Sequence, residues 1–169
     1  VIGIAGRNGS GKSTLMNILA GLEGAEGGEV IYQGKKLLLQ RYQAARENIS
    51  VIHQSPQLAE QLDTTTNIFL GQELGWRLFG GWLTIPNSRR MEEEASHHLT
   101  RHDAPFIPLR EPILKLSAEQ KQLIAIARVS VAPQSLILID DPNVHLSIPY
   151  RQKLLKLIRE WQALGSNIL

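Results

Sequence analysis

The segment Gly6-Arg7-Asn8-Gly9-Ser10-Gly11-Lys12-Ser13-Thr14 constrains this chain more than any other. It fits the pattern G-x-x-x-x-G-K-[ST] and sits between the apolar run Val1-Ile2-Gly3-Ile4-Ala5 and a helical segment, residues 12–20. Such an apolar run predicts a buried parallel strand. Leu15, Met16, Ile18 and Leu19 give the helix an apolar face, and Gly21 predicts its stop. The glycines let the backbone approach a ligand closely. Amides exposed at such a turn, with the positive end of the following helix behind them, form an anion site. The expected occupant is a triphosphate, with Lys12 reaching its β- and γ-phosphates and the Ser13 hydroxyl on Mg²⁺. The bland alternative is a glycine-rich strand-to-helix turn without a ligand.

The rest of the chain predicts an α/β core interrupted by helices. Residues 29–32 read as a strand before the Gln33-Gly34 turn, residues 40–47 as a short helix, and Ile49 to His53 as a strand ending at Gln54. Thr64 or Thr65 can cap a helix carrying Ile68, Phe69 and Leu70, and Asn87 can cap another. Residues 74–86, with Trp76 and Trp82, read as an ordered loop, and residues 104–112 as irregular. Ser117 and Gln120 form an S-x-x-Q capping box ahead of a helix. Ser135-Leu136-Ile137-Leu138-Ile139 is a second apolar strand, closed by Asp140-Asp141-Pro142. Leu154, Leu155, Leu157, Ile158, Trp161 and Leu164 form an apolar helical stripe, and residues 166–169 open another strand. That ending, and a start at Val1 inside an apolar run, give the expectation of an excerpt, truncated at both ends, from a longer protein.

Composition narrows the function. A formal charge of +2 with isolated basic pairs at Lys35-Lys36 and Arg89-Arg90 gives no basic stripe, so no nucleic acid is expected as a partner. The absence of Cys rules out disulfides and thiolate metal sites, and fits a reducing compartment. His98 and His102, near His97 and Asp103, have a spacing seen in metal ligands, but a solvated helix face is the expectation. Glu92 to Glu94 read as charged surface in the same way.

Further features, in chain order, resemble the nucleotide-binding domain of ABC transporters. Gln54 follows an apolar strand where that family has its Q-loop glutamine. Leu116-Ser117-Ala118-Glu119-Gln120 stands at the LSGGQ-type signature, Leu136 to Asp140 at the Walker B strand, Asp141-Pro142 at the Glu-Pro position, and Asn143 to Ser147 at the D-loop. No Asn-Lys-x-Asp base-reading motif of a GTPase is present. Met16-Asn17-Ile18-Leu19-Ala20-Gly21-Leu22, Ile52-His53-Gln54 and Asn67-Ile68-Phe69-Leu70-Gly71 are most similar to the first half of carbohydrate-importer ATP-binding proteins.

The resemblance implies an α/β P-loop NTPase (RecA-like) core, residues 1–60 and 132–169, with an inserted helical subdomain, residues 61–131. It implies ATP and Mg²⁺ as ligands, the ion held by Ser13, Gln54 and Asp140. Residues 6–14 with Ser117 and Gln120 would contact nucleotide. Lys12, Gln54 and Asp141 would serve catalysis, Asp141 as the base. The implied partners are transmembrane permease subunits and a second ABC domain, separate or fused, on the cytoplasmic face of the membrane. Trp76 and Trp82 are expected either to pack or to face those membrane subunits.

The departures from the family pattern are equally specific. The base is usually Glu, so Asp141 draws the carboxylate back by one methylene, and a misplacement of about 1 Å can cost on the order of 10²-fold in rate. Ala118-Glu119 replaces two glycines, with Glu119 expected to bring negative charge near a triphosphate, and Ser147 holds the D-loop aspartate position. The switch histidine and the adenine-stacking aromatic would lie beyond Leu169 and before Val1. A soluble ABC ATPase acting on ribosomes or DNA, and a degenerate half-site that binds ATP without cleaving it, are the alternatives.

Overall fold

The computed structural model describes residues 1–7, 9–32, 34–37, 49–78 and 83–169. The helix expected over residues 40–47 and the side chain of Trp82 lie outside them. The chain divides into two compact units, one of Val1–Gln54, Pro133–Asp141 and Leu154–Leu169, the other of Ser55–Ala132 and Pro142–Lys153.

In the first unit, α1 (Lys12–Leu19) is followed by the antiparallel hairpin β1 (Val30–Tyr32) and β2 (Lys35–Leu37), then by the strand β3 (Ile49–Ile52). Two later strands, β6 (Leu136–Ile139) and β7 (Asn167–Ile168), join β3 in a parallel sheet of order β3-β6-β7. The register sets Ile49 against Leu136 and Ile52 against Ile139. Ile137 and Leu138 are fully buried, as the unbroken apolar run predicts for a covered parallel strand. Met16 and Ala20 of α1 close over Ile49 and Leu138, with Leu19, Val30, Tyr32, Val51, Leu136 and Leu169 packed around them.

One expectation fails here. Residues 1–5 do not form a strand; Val1 and Ile2 are 65% and 69% exposed. Ile2 donates to the Ile168 carbonyl at 2.8 Å, which sets the segment beside β7 at the sheet edge. Apolar composition alone does not make a buried strand; a ladder and cover on both faces do.

The second unit holds α2 (Thr64–Phe69), the hairpin β4 (Gly75–Leu78) and β5 (Leu83–Pro86), α3 (Ser88–Arg101) and α4 (Ala118–Val131). Helices α2, α3 and α4 pack on one another through Ile68, Phe69, Met91, Ala95, Leu99, Leu123, Ile124 and Ala127, all buried. In place of the loop expected over residues 74–86, β4 and β5 pair antiparallel, with Trp76 opposite Ile85. Trp76 is 74% exposed and does not pack in a core. The cap of α2 is Asp63, whose carboxylate accepts from Thr66 N at 2.7 Å, and neither Thr64 nor Thr65 serves. Both threonines are buried inside the helix. Asn87 caps α3 as expected.

A polar hub joins these helices to residues 57–63. Asn67 is fully buried; its side-chain oxygen accepts from Ala59 N (2.8 Å) and Arg128 Nη2 (3.1 Å), and its amide donates to the carbonyls of Ala59 and Asp63. Arg128 Nε also donates to the Asn67 carbonyl at 2.7 Å. Burial without a carboxylate lowers the Arg128 pKa from its usual value, so these carbonyls are its counterpart.

His102 contradicts the expectation of a solvated helix face. It is 1% exposed and neither ring nitrogen has a partner. Burial, helped by His98, Arg101 and Lys153 and opposed by Asp103, lowers its pKa to about 4. The last helix, α5 (Ile148–Ala163), begins in the second unit and ends in the first. It buries Leu154, Leu157 and Trp161, while Leu155 and Leu164 are 60% and 74% exposed. The stripe is narrower than expected because Leu155 sits ~100° round the helix from Leu154, and Leu164 follows its last turn.

Asn67→Ala leaves the Ala59 amide and Arg128 without their acceptor, so a loss of about 3 kcal/mol in urea unfolding is expected. The second expectation concerns pH. The His102 pKa is depressed in the folded state, so the unfolded chain binds the extra proton. Stability is full above pH ~6.5 and falls as pH drops toward about 4, by up to roughly 3 kcal/mol. His98, also lowered by burial, adds to the same loss. Denaturant titrations between pH 7 and 4 should show a slope that His102→Leu flattens.

Candidate functional site

The first unit builds a concave site at the carboxyl end of its parallel strands. Gly11 is the N-cap of α1 at φ 86°, a left-handed conformation that a side chain resists, and its carbonyl accepts from Leu15 N at 2.9 Å. Helix geometry leaves the first amides of α1, on Lys12, Ser13 and Thr14, without intrahelical acceptors. Ser10 N donates to the Arg7 carbonyl at 3.1 Å and tightens the turn, and Gly9 has φ 82°. A Cβ on Gly6 would lie 2.6 Å from Ser10 Oγ. Asn8 is outside the described residues.

Lys12 folds back over this loop. Its Nζ donates to the carbonyls of Gly6 (2.8 Å) and Arg7 (2.9 Å), which occupies two of the three ammonium donors. The cation is thereby held at the turn.

The decisive contact crosses 127 positions of sequence: Ser13 Oγ donates to Asp140 Oδ1 at 3.3 Å. Sheet pairing brings Asp140 there. Its amide donates to the Ile52 carbonyl at 2.9 Å, continuing the β3–β6 ladder one residue past β6. Lys12, Asp140 and Asp141 line a cleft of about 350 Å³ with Ile2, Gly3, Ile4, Met16, Ile139 and Leu169. Asp141 has φ 35°, a region where Asp is tolerated better than longer side chains. Gln54 is exposed, two residues past the end of β3.

The sequence reading passed over His53. Burial lowers its pKa and the Asp140 charge opposes that shift. Its place at the end of a strand that pairs with the Asp140 strand was the available signal.

Ser117 and Gln120 lie in the second unit, on the first turn of α4. Gln120 N donates to Ser117 Oγ (3.2 Å) and Ser117 N donates to Gln120 Oε1 (2.9 Å), the reciprocal pair the capping box predicts.

A family model described as ABC transporter matches residues 1–144. This chain belongs to the ABC transporter family. The ABC chain is 31% identical over 170 residues to the xylose/arabinose import ATP-binding protein XylG of Sulfolobus acidocaldarius, with 100% of this chain and 65% of that protein covered. It is 34% identical over 167 residues to the ribose import ATP-binding protein RbsA of Streptococcus agalactiae serotype Ia, with 98% and 33% covered. It thus spans less than two thirds of either relative.

Among solved structures, the ATP-binding cassette MJ0796, in a dimeric post-hydrolysis state bound to ADP and Pi, superposes with a TM-score of 0.77. Its identity is 23%, over 96% of this chain and 69% of that one. A nucleotide-free ATP-binding cassette from an ABC transporter gives 0.71 at 22% identity, over 96% and 66%. The P-loop NTPase fold of the ABC ATPase type, expected from the sequence, is the fold of this chain. Among the described residues no helix is long and apolar enough to cross a membrane.

Gly11→Ala puts a Cβ on a residue at φ 86°. A loss of about 1–2 kcal/mol is expected, read as a lower thermal midpoint. A fall in nucleotide affinity should accompany it, checked by titration with a fluorescent nucleotide.

Proposed function

We propose that this chain binds and hydrolyses ATP to power an ABC transporter that imports a sugar across the cytoplasmic membrane. The observation that carries the reading is the Ser13–Asp140 pair, whose carboxylate lines a cleft together with Lys12 and Asp141. Family membership supports the ATPase reading, and the sugar-import roles of the relatives support the sugar.

In this reading, the amides of residues 6–14 and the Lys12 ammonium enclose the phosphates. Lys12 exchanges the Gly6 and Arg7 carbonyls for phosphate oxygens. The donor set suits Mg²⁺: a hydroxyl on Ser13, a carboxylate on Asp140 and an amide oxygen on Gln54 are all hard oxygen ligands. When bound, the ion supplies charge neutralisation at the β- and γ-phosphates. Asp141 accepts a hydrogen bond from the attacking water and aligns it for in-line displacement. Ser117 and Gln120, at the positive end of α4, face the nucleotide held by a second ABC domain, either another copy or a fused half. The remaining partners are the permease subunits, which place the protein on the inner face of the membrane. Residues 1–60 and 132–169 act as the nucleotide-binding core, and residues 61–131 as the helical subdomain.

A second reading, firm ATP binding with slow turnover, is favoured by the short arm of Asp141 and its left-handed backbone. Titration with labelled ATP and a phosphate-release assay separate the two. Lys12→Ala should lower ATP affinity at least tenfold and abolish release. Asp141→Glu should raise release if reach is what limits the rate, at some cost in stability from the positive φ. A wild-type protein that takes up no nucleotide would overturn both readings. In proteoliposomes with its permease, pentose uptake should require ATP on the side of this subunit.

A further inference from the structure

We propose that Glu119 is a positioning residue that latches the segment following Asp141 onto the first turn of α4, an inference that rests on the ATPase reading above. Glu119 occupies the second position of α4, inside the Ser117–Gln120 capping box. Its carboxylate does not project free from the turn; it accepts from the Ser147 amide at 2.7 Å, a short charge-assisted bond across 28 positions.

Ser147 is where α5 starts. Its carbonyl accepts from Arg151 N at 3.0 Å, the first helical bond, so Ser147 is the residue that precedes the helix proper. A serine there commonly caps with its own side chain. Here the amide at the N-terminus of α5 is satisfied by a carboxylate from another helix. Glu119 therefore lies at two helix N-termini at once, its own and that of α5, and anionic charge is favourable at both. Tyr150, one turn into α5, registers the same charge: burial raises its pKa first, then Glu119 and Asp103.

The neighbouring contacts close the same end of α5. Tyr150 donates through its hydroxyl to the Asp103 carbonyl at 3.2 Å, and Lys153 Nζ pairs with Asp103 Oδ2 at 2.9 Å. Arg151 Nε donates to the Leu146 carbonyl at 2.7 Å. Residues 142–147 are thus fastened to α4 by Glu119 and to the start of α5 by Arg151. A glycine at position 119 could supply neither the charge nor the bond. The consequence is mechanical: displacement of the 117–120 turn is transmitted to the chain segment that leaves Asp141.

The test compares Glu119→Ala with Glu119→Gln in the intact protein, by hydrogen exchange of a peptide spanning residues 146–151 and by steady-state phosphate release. Glu119→Ala should speed exchange of that segment at least tenfold and lower kcat at least fivefold, with KM for ATP within twofold. Glu119→Gln keeps an acceptor oxygen and should restore both readouts to within twofold of wild type. Unchanged exchange in Glu119→Ala, or a glutamine variant as impaired as the alanine one, overturns the proposal. Absence of nucleotide binding in the wild type would sink the ATPase reading alone, because the exchange comparison still decides whether the latch exists.

Discussion

The parallel pairing of β3 with β6 is the constraint on which the site depends. Asp140 is not near Ser13 in sequence, and no local rule brings them together. The ladder that sets Ile52 against Ile139 continues through the Asp140 amide to the Ile52 carbonyl, and so aims the carboxylate at α1. A slip of one residue would turn Asp140 to the opposite face of the sheet, since side chains alternate with period two. The burial of Ile137, Leu138 and Ile52 opposes that slip, because an apolar strand end would move into water. The glycine-rich turn into α1 is the local half of the same device. Gly11 turns the chain into α1, and Met16 and Ala20 anchor that helix over Ile49 and Leu138.

The second unit achieves its order differently. Much of its specificity comes from buried polar atoms. Asn67 and Arg128 use backbone carbonyls and amides of residues 57–63 as partners, so a loop without regular structure is held in one conformation. His102 is the counterexample, a buried imidazole with nothing to bond. Burial keeps the ring neutral, and the cost appears only when acid offers it a proton. Near it, Lys153 and Tyr150 converge on Asp103, whose φ of 59° turns the chain out of α3.

Local chemistry made much of this legible in the sequence. The glycine-rich turn into α1, the stop of α1 at Gly21, the Asn87 cap and the reciprocal Ser117–Gln120 pair each involve residues within a few positions of one another. Their geometry follows from backbone sterics and hydrogen-bond reach. The apolar run announced β6 for a related reason, since a strand buried on both faces must be apolar throughout, while β3 is legible in the alternation from Ile49 to His53. The misses have one cause as well. Residues 1–5 and His102 invite placement by side-chain character, yet their exposure is set by what lies on them in space. The pairing of β4 with β5 is not legible in a segment rich in Trp and Gly, which are compatible with loop or strand, and only cross-strand pairing decides.

The sequence by itself therefore determined the glycine-rich turn into α1 and the caps of α3 and α4, because each rests on interactions closed within one or two turns of chain. Tertiary structure alone decided that Asp140 meets Ser13, that Glu119 meets Ser147, and which apolar residues are covered. Those outcomes depend on register and packing between segments 28 to 127 positions apart, and no short-range rule encodes such distances.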